Sequence, residues 1–208
     1  GGSGGVALDC SPIQQSLTKV TNAIDVNTMC EASPARKHVV VIMDEVQDPQ
    51  NLGSTLRSAL FLGADGVIIS GKNSSPLSPS VSKASSGAME ILSSQGRLKF
   101  VKGPLPRLLK DMQKEKWDIV GTVVNDQRAV QLKDAPFKRM GDHHVDDHRC
   151  GNNKVAIIMG SESSGMRTMV KRECTTLVTL PAAPGASTCD SLNVSVTSAL
   201  VMSHYLQR

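Results

Sequence analysis

The amino-acid sequence predicts an α/β protein whose helices pack around a parallel β-sheet. Short apolar runs such as residues 39–43 and 155–159 are continuous rather than alternating, which is typical of strands buried on both faces of a sheet. Segments with a helical spacing of apolar residues separate these runs, and alternation of strand and helix is the pattern of a parallel α/β sheet. The order of the strands cannot be read from the sequence.

The N-terminal residues 1–37 are predicted to be a flexible tail or the remnant of an N-terminal region, and residues 38–208 are predicted to form the folded domain. The opening Gly1-Gly2-Ser3-Gly4-Gly5 resembles a flexible linker and lacks the basic and apolar regions of a signal peptide. A short helix is expected around residues 13–20. A polar stretch ending in Ser33-Pro34 then leads to the domain.

Strands and helices alternate along the predicted domain. After the strand at 39–43, Leu52 and Leu56 lie on the apolar side of a helix at 51–62, and Gly63 is its stop signal. The other predicted strands are 66–70, 98–101, 117–124, 155–159 and 177–180, and the other predicted helices are 105–115, 166–173 and a final helix from about 193. A serine- and proline-rich loop at 74–80 is followed by small residues at 81–88, and the polar segment 125–153 is expected to be irregular.

The composition limits the classes of function. A hydrophobic content of 39% and a charged content of 20% are ordinary for a globular domain, and no apolar run approaches the roughly 20 residues of a membrane span. The net charge of +4 is compatible with a nucleic-acid partner but does not require one. Three Phe, one Trp and one Tyr are too few for an extended base-stacking platform. Five cysteines without a C-x-x-C pair argue for a reducing compartment and against a disulfide framework or a zinc knuckle.

Three polar segments follow predicted strands, at the edge where open parallel sheets bind ligands. They are residues 44–57, the turn 160–165 and the stretch from Leu180 to Asn193. Each can be read as an ordinary turn or helix cap, for example Asp48-Pro49 before the helix. The turn 160–165 carries Glu162 where a dinucleotide fingerprint needs glycine, and it lacks the lysine of a P-loop. Nucleoside-triphosphate chemistry is therefore disfavoured.

The segment 191–196 has a mixed pattern of strand and helix. Leu192, Val196 and Leu200 repeat at helical spacing, whereas the alternation of polar and apolar residues is typical of an extended chain. This combination predicts a short extended loop that turns directly into a helix, with Ser191 or Asn193 as the N-cap. The N-terminus of such a helix attracts a carboxylate or a phosphate.

Taken in order, these segments resemble the three motifs of the SpoU (TrmH-like) branch of the SPOUT methyltransferases. The motifs are Asn51-x-Gly53-x-x-x-Arg57, then Gly160-x-Glu162-x-x-Gly165, then Pro181 with the segment 191–196, and the resemblance covers roughly residues 38–207. It implies an α/β fold with a C-terminal trefoil knot, S-adenosyl-L-methionine (AdoMet) as cofactor, and transfer of a methyl group to a ribose 2′-hydroxyl of RNA. It also implies a homodimer, or a dimer with a related subunit, with the active site near the subunit interface.

The resemblance assigns roles to individual residues. It implies catalytic roles for Asn51, Arg57, Glu162 and Asn193, and cofactor contacts for Gly160, Leu180, Pro181, Ser191, Leu192 and Asn193. Because the guanidinium of arginine stays protonated, we expect Arg57 to grip a phosphate and stabilise the developing alkoxide rather than to act as a base. No metal site is expected, although the apparent insertion 141–153 is rich in His and Asp.

The same resemblance, which extends to mitochondrial and bacterial rRNA guanosine-2′-O-methyltransferases, implies an RNA substrate. The polar insertions look eukaryotic rather than bacterial, which favours mitochondria and large-subunit rRNA. We expect rRNA of the large subunit rather than tRNA, contact with ribosomal assembly intermediates, a mitochondrial location with the cytoplasm as the alternative, and no membrane partner. The surface bearing Arg167, Lys171 and Arg172 is either a solvated helix face or an RNA contact. A methyltransferase-like assembly factor that binds maturing rRNA without catalysis is the alternative function, and an unrelated nucleotide-using α/β enzyme is a weaker one.

Overall fold

An eight-stranded parallel sheet forms the centre of the part of the chain that the structure describes. The computed structural model describes residues 17–30, 37–71, 73–124, 126–135, 153–183 and 191–206. The strands are β1 (Lys19–Val20), β2 (His38–Met43), β3 (Gly66–Ile69), β4 (Leu98–Val101), β5 (Trp117–Thr122), β6 (Val130–Gln131), β7 (Lys154–Met159) and β8 (Thr176–Thr179). Their order across the sheet is β1-β4-β3-β2-β7-β5-β8-β6, and every neighbouring pair is parallel. The predicted α/β class with a parallel sheet is confirmed.

Strands β2 and β7 lie side by side in the middle of the sheet, with His38 opposite Lys154 and Met43 opposite Met159. All six residues of β2 are buried. Val39, Val41 and Met43 face one hydrophobic cluster, whereas the alternate residues of the strand face another. Burial on both faces explains why these strands read as continuous apolar runs.

Helices cover both faces of the sheet. They are α1 (Ala23–Asn27), α2 (Pro49–Leu62), α3 (Pro79–Ser85), α4 (Ala88–Ser94), α5 (Leu105–Lys114), α6 (Thr168–Arg172) and α7 (Val194–Leu206), with one 3-10 turn at Leu132–Asp134. Helices α2, α3, α4 and α7 supply residues to the cluster on one face, and α1, α5 and α6 supply residues to the cluster on the other. None of the helices in the described ranges has the length and apolar character needed to cross a bilayer.

Helix α2 begins and ends where the sequence predicts a cap and a stop. The side chain of Asp48 accepts a hydrogen bond from the backbone N–H of Gln50 at 3.0 Å, and Pro49 occupies the first turn. At the other end Gly63 has φ 83° and its N–H returns to the carbonyls of Ala59 and Leu60. The helix therefore leaves the carboxyl end of β2 in a fixed direction.

The N-terminal segment differs from its prediction. The expected helix around residues 13–20 is wrong at Lys19–Val20, which pair with Phe100 and Val101 of β4 as strand β1. The following helix α1 is fixed by a capping box between Asn22 and Asp25. The pairing of β1 with β4, which the local sequence cannot reveal, has overridden the helical pattern of this segment. Residues 17–30 thus pack against the sheet, and the domain boundary at residue 38 stays a prediction.

Smaller departures concern elements rich in small or polar residues. Helices α3 and α4 occupy 79–94, where the sequence indicated a loop and an unassigned segment of small residues. Strand β6 and the 3-10 turn occupy part of the segment expected to be irregular, and helix α6 is shorter than the predicted 166–173. The predicted His- and Asp-rich patch at 141–152 lies outside the described residues. These differences leave the sheet and the position of the polar segments unchanged.

Candidate functional site

The carboxyl ends of β5, β7 and β8 border a cavity of about 720 Å³. Its walls are the loop after β7, the residues just after β5, Leu180 after β8, and the start of helix α7. The lining residues are Asn51, Thr122, Val123, Val124, Met159, Gly160, Ser161, Glu162, Ser163, Ser164, Gly165, Met166, Lys171, Leu180, Ser191, Leu192, Asn193, Val194 and Thr197. Its position at the carboxyl edge of a parallel sheet is the usual place for a ligand. We call it the main cavity.

A tight turn forms one wall of the main cavity. Ser161 and Gly165 exchange two backbone hydrogen bonds of 3.0 and 2.9 Å, which close the turn on itself. A Cβ atom on Gly160 would lie 2.5 Å from the backbone carbonyl carbon of Gly165 and 2.5 Å from the amide nitrogen of Met166. Only glycine fits this approach, because a side chain at residue 160 would push the backbone of Gly165 and Met166 away.

A chain of side-chain hydrogen bonds joins three residues that are far apart in the sequence. The Asn193 Nδ2 group donates to Asn51 Oδ1 at 2.8 Å, and Asn51 Nδ2 donates to Glu162 Oε1 at 3.0 Å. The Glu162 carboxylate also accepts the backbone N–H groups of Gln47 and Asp48 at 3.3 and 3.4 Å. Three of the four residues assigned catalytic roles are therefore held in one connected group beside the main cavity.

Asn193 also begins helix α7. Its Oδ1 atom accepts the backbone N–H of Ser195 at 2.8 Å and the Ser195 hydroxyl at 2.7 Å, and its carbonyl accepts the N–H of Thr197 at 2.9 Å. Of the two predicted caps, Asn193 makes the capping bond to a free helix N–H. The same side chain thus fixes the helix start and its position against Asn51.

Arg57 lies apart from this hydrogen-bonded group. It is exposed on helix α2, about 9 Å further along the helix axis than Asn51 at 1.5 Å per residue. Its Nη1 atom donates to the Ser86 hydroxyl, which lies 3.2 Å away at the end of α3. Within the described residues of one chain, Arg57 does not line the main cavity. Its catalytic role stays a prediction.

Most of the predicted cofactor residues line the main cavity. Gly160, Leu180, Ser191, Leu192 and Asn193 all contribute to its surface. Pro181 is exposed beside Leu180 and is not among the lining residues. Residues 184–190, which come between Pro181 and Ser191 in the sequence, lie outside the described part. The structure brings these residues together, and their contact with a cofactor stays a prediction.

Sequence reasoning missed a buried ion pair that fixes the end of the turn 160–165. Asp44 follows β2 and is fully buried, and Arg167 donates Nε to its Oδ2 at 3.0 Å and Nη2 to its Oδ1 at 2.5 Å. Arg167 Nη1 also lies 3.3 Å from Glu45 Oε1. The hydrogen bonds to Asp44 raise the pKa of the Arg167 guanidinium above its ordinary value. The sequence held one signal for this ion pair: Asp44 directly follows a buried strand, and a buried carboxylate needs a hydrogen-bonding or charged partner.

The three basic residues that we assigned to one surface have different environments. Arg167 is paired as described, and Lys171 Nζ lies 3.1 Å from Asp126 Oδ2 and lines the main cavity. Hydrogen bonds from Arg128 and Lys171 hold the pKa of Asp126 well below its ordinary value. Arg172 is exposed. The three side chains therefore differ in their environments, and an RNA contact at this surface stays a prediction.

One group of possible metal ligands occurs within the described residues. Cys30, His38 and Asp65 have ligand atoms within 4.8 Å of one another at the amino edge of the sheet. His38 Nδ1 lies 3.3 Å from Asp65 Oδ1, and Asp65 Oδ2 accepts the backbone N–H of Val39 at 2.7 Å. These bonds account for the buried carboxylate without a metal, and the expectation of no metal site stays a prediction.

Comparison with known proteins identifies relatives of this chain. The family model described as the SpoU rRNA Methylase family matches residues 38–203. The mitochondrial rRNA methyltransferase 1 of Saccharomyces cerevisiae is 35% identical over 172 residues, covering 79% of this chain and 40% of the yeast protein. The 23S rRNA (guanosine-2′-O-)-methyltransferase RlmB of Ralstonia nicotianae is 32% identical over 164 residues, covering 79% of this chain and 56% of that protein.

A solved structure has the same fold. The SpoU methyltransferase AviRb from Streptomyces viridochromogenes, determined in complex with the cofactor AdoMet, superposes with a TM-score of 0.62 at 22% identity and covers 83% of this chain and 60% of that one. The chain spans only 40% and 56% of the length of its yeast and Ralstonia relatives. The family model, by contrast, accounts for most of the chain and includes all three motifs. The chain belongs to the SpoU rRNA methylase family.

Proposed function

We propose that this chain is the catalytic part of an AdoMet-dependent RNA 2′-O-methyltransferase that acts on rRNA. The observation that carries the proposal is the hydrogen-bonded group of Asn193, Asn51 and Glu162 on the wall of the main cavity. These residues come from three separate motifs, and the family model described as the SpoU rRNA Methylase family matches the stretch that contains all three. The Ralstonia relative is named a guanosine-2′-O-methyltransferase, which supports a ribose hydroxyl as acceptor.

The main cavity suits AdoMet in size and in chemistry. Its volume of about 720 Å³ lies within the range of about 300–1,000 Å³ that small-molecule sites occupy. The bare backbone beside Gly160 offers polar groups at close range, and Leu180 and Leu192 offer apolar contact. Gly160, Leu180, Ser191, Leu192 and Asn193 would hold the cofactor, with Pro181 fixing the chain after Leu180. When bound, AdoMet supplies an electrophilic methyl group on a sulfonium.

The protein's own residues would position the RNA ribose. Glu162 is fixed by Asn51 and by two backbone N–H groups, so its carboxylate is held before any substrate arrives. Such preorganisation lowers the entropic cost of bringing reacting atoms into line. Arg57, which stays protonated, would bind the neighbouring phosphate and stabilise negative charge on the ribose oxygen.

We also propose that the chain functions as a dimer, either with itself or with a related subunit. Val196 and Leu200 on α7, with Leu192 just before the helix, follow one another at a spacing of four residues, and 44–48% of each residue is exposed. An apolar stripe of this kind is typical of a subunit interface. Helix α7 packs against α2, which carries the exposed Arg57, so a partner bound to α7 would approach the layer that contains Arg57.

The trefoil knot also belongs to this proposal, and family membership supports it. In the described residues β8 pairs with β5 within the sheet, and α7 then packs against α2 and β7, which is compatible with a chain that returns through an earlier loop. The yeast relative is named a mitochondrial enzyme, which supports a mitochondrial location. The names of both relatives favour rRNA over tRNA, and ribosomal assembly intermediates would be the natural source of accessible rRNA.

Two measurements on purified protein test this proposal. Calorimetry with AdoMet measures cofactor binding, and transfer of a labelled methyl group to large-subunit rRNA measures turnover. We expect Arg57→Ala to bind AdoMet like wild type and to lose methyl transfer. Arg107→Ala, an exposed arginine on α5, is the matched control and should keep both activities. Methyl transfer at the wild-type rate by Arg57→Ala would refute the role of Arg57, and absence of AdoMet binding to the wild type would refute the function.

A further inference from the structure

We infer that a second cavity, on the same edge of the sheet, binds one nucleotide of the single-stranded RNA that carries the methylated ribose. This inference rests on the proposed function. The cavity has a volume of about 500 Å³. We call it the serine cavity, and it is lined by Lys19, Ser70, Gly71, Ser74, Ser75, Phe100 and Val101.

The serine cavity and the main cavity open on the same edge. Ser70 and Gly71 directly follow β3, and Phe100 and Val101 end β4, so the serine cavity lies beyond the carboxyl ends of these strands. The main cavity lies beyond the ends of β5, β7 and β8. The order β4-β3-β2-β7-β5 places three strand spacings between β3 and β5, about 14 Å. An extended RNA strand laid along this edge would reach both cavities within a few nucleotides.

Glu45 contacts residues that adjoin both cavities. Its Oε1 lies 3.3 Å from Nη1 of Arg167, which follows Met166 of the main cavity. The same oxygen accepts a hydrogen bond of 3.4 Å from Nδ2 of Asn73, which precedes Ser74 of the serine cavity. The backbone N–H of Glu45 donates to Ser70 Oγ at 3.0 Å. Its φ of 58° is unusual for a residue other than glycine and persists only when surrounding contacts fix it. Glu45 thus connects the residues next to one cavity with the residues next to the other.

The lining of the serine cavity matches the parts of a nucleotide. Phe100 is only partly buried and offers a ring on which a base can stack. Lys19 is exposed and is the one charged side chain among the described lining residues, so it can pair with a phosphate. One aromatic ring in a cavity is enough to stack against one base. The small number of aromatic residues in the sequence argues only against a platform that stacks several bases.

The serine hydroxyls supply hydrogen bonds to the edge of a base. Ser70 Oγ and Ser74 Oγ lie 3.0 Å apart and share one hydrogen bond. If Ser74 is the donor it keeps its lone pairs as acceptors, and if it is the acceptor it keeps its O–H as a donor. In both cases Ser74, which is partly exposed, retains hydrogen-bonding capacity for a ligand.

Fluorescence anisotropy with a labelled single-stranded RNA of about ten nucleotides tests this inference at several salt concentrations. We expect Phe100→Leu to weaken binding about fivefold or more, the loss of one base–aromatic stack. We expect Lys19→Gln to weaken binding of the RNA and to reduce the slope of log affinity against log salt by about 0.7, the value for one phosphate of a single strand. Lys114→Gln is the matched control, because Lys114 is an exposed lysine at the end of α5, next to the start of β5 at the opposite edge of the sheet.

AdoMet calorimetry on each variant separates this inference from the proposed function. We expect all three variants to bind AdoMet with wild-type affinity, because none of the three residues lines the main cavity. Wild-type RNA affinity in both Phe100→Leu and Lys19→Gln would overturn the serine cavity as a nucleotide site and leave the methyltransferase proposal standing. A wild-type protein that does not bind the RNA would also overturn the nucleotide site, and methyl transfer to large-subunit rRNA would then decide the proposed function separately. If Phe100→Leu fails to fold, the Lys19→Gln variant tests the nucleotide site alone, through its RNA affinity and the slope of that affinity against salt. Lys19 is exposed, so its replacement should not disturb the fold.

Discussion

Replacing Arg167 should lower the free energy of unfolding more than replacing Asp44, although the two residues form one ion pair. The Asp44 carboxylate is fully buried, whereas the Arg167 side chain is 34% exposed and also lies 3.3 Å from Glu45. Arg167→Gln leaves a buried carboxylate without its cation, which costs about 3–5 kcal/mol. Asp44→Asn leaves a guanidinium that reaches water and keeps Glu45, so we expect a cost of about 1–3 kcal/mol.

Urea unfolding followed by circular dichroism measures the free energy of unfolding of each variant. We expect the double variant Asp44→Asn with Arg167→Gln to be more stable than Arg167→Gln alone, because removing the carboxylate removes the buried charge. Arg167→Lys should fall between wild type and Arg167→Gln, since lysine keeps the charge but not the two-pronged geometry. Equal losses in the two single variants, or a larger loss in Asp44→Asn, would refute the reasoning.

Three further predictions concern packing, the turn and pH. Ser198→Ala should raise the free energy of unfolding by about 1 kcal/mol in thermal or urea melts, because the buried Ser198 hydroxyl has no hydrogen-bond partner among the described residues; a loss of stability would contradict this. Gly160→Ala should cost about 2 kcal/mol or more and abolish AdoMet binding in calorimetry, because its Cβ would meet backbone at 2.5 Å; normal binding would contradict it. Burial, followed by the charge of Lys37, lowers the pKa of His204 below its unfolded value of 6.5. The unfolded chain therefore binds this proton first as pH falls, and urea midpoints at pH 7.5 and 5.5 should show a loss of stability in wild type that His204→Gln reduces; identical pH profiles would contradict this.

The sheet was readable from the sequence because its central strands are buried on both faces, and that burial leaves continuous apolar runs such as 39–43. Helix α2 was readable because Asp48, Pro49 and Gly63 are specific signals for a helix start and stop. The helix expected up to Val20 was wrong because β1 is only two residues long and depends on pairing with β4, which leaves no periodicity to detect. Helices α3 and α4 were missed because serine and small residues give weak helical patterns.

The sequence predicted the residues of the candidate site only as members of three motifs, without the contacts between them. Each motif alone has the pattern of an ordinary turn or cap, and their order along the chain made the resemblance specific. The hydrogen bonds that connect Asn51, Glu162 and Asn193 were not readable, because side-chain partners in different segments leave no spacing rule. For the same reason the sequence did not pair Asp44 with Arg167 or Lys171 with Asp126.

The hydrogen bond between Asn193 and Asn51 joins residues 142 positions apart, and the bond between Asn51 and Glu162 joins residues 111 positions apart. Closing such large loops is entropically costly, and contacts of this range form slowly during folding. The main cavity therefore forms only when segments from Asn51 to Asn193 have come together in the fold. A ligand that binds this cavity and not the unfolded chain would stabilise the whole fold, by about 2.7 kcal/mol at a concentration of 100 Kd. The melting temperature of this protein should therefore rise as the concentration of AdoMet rises.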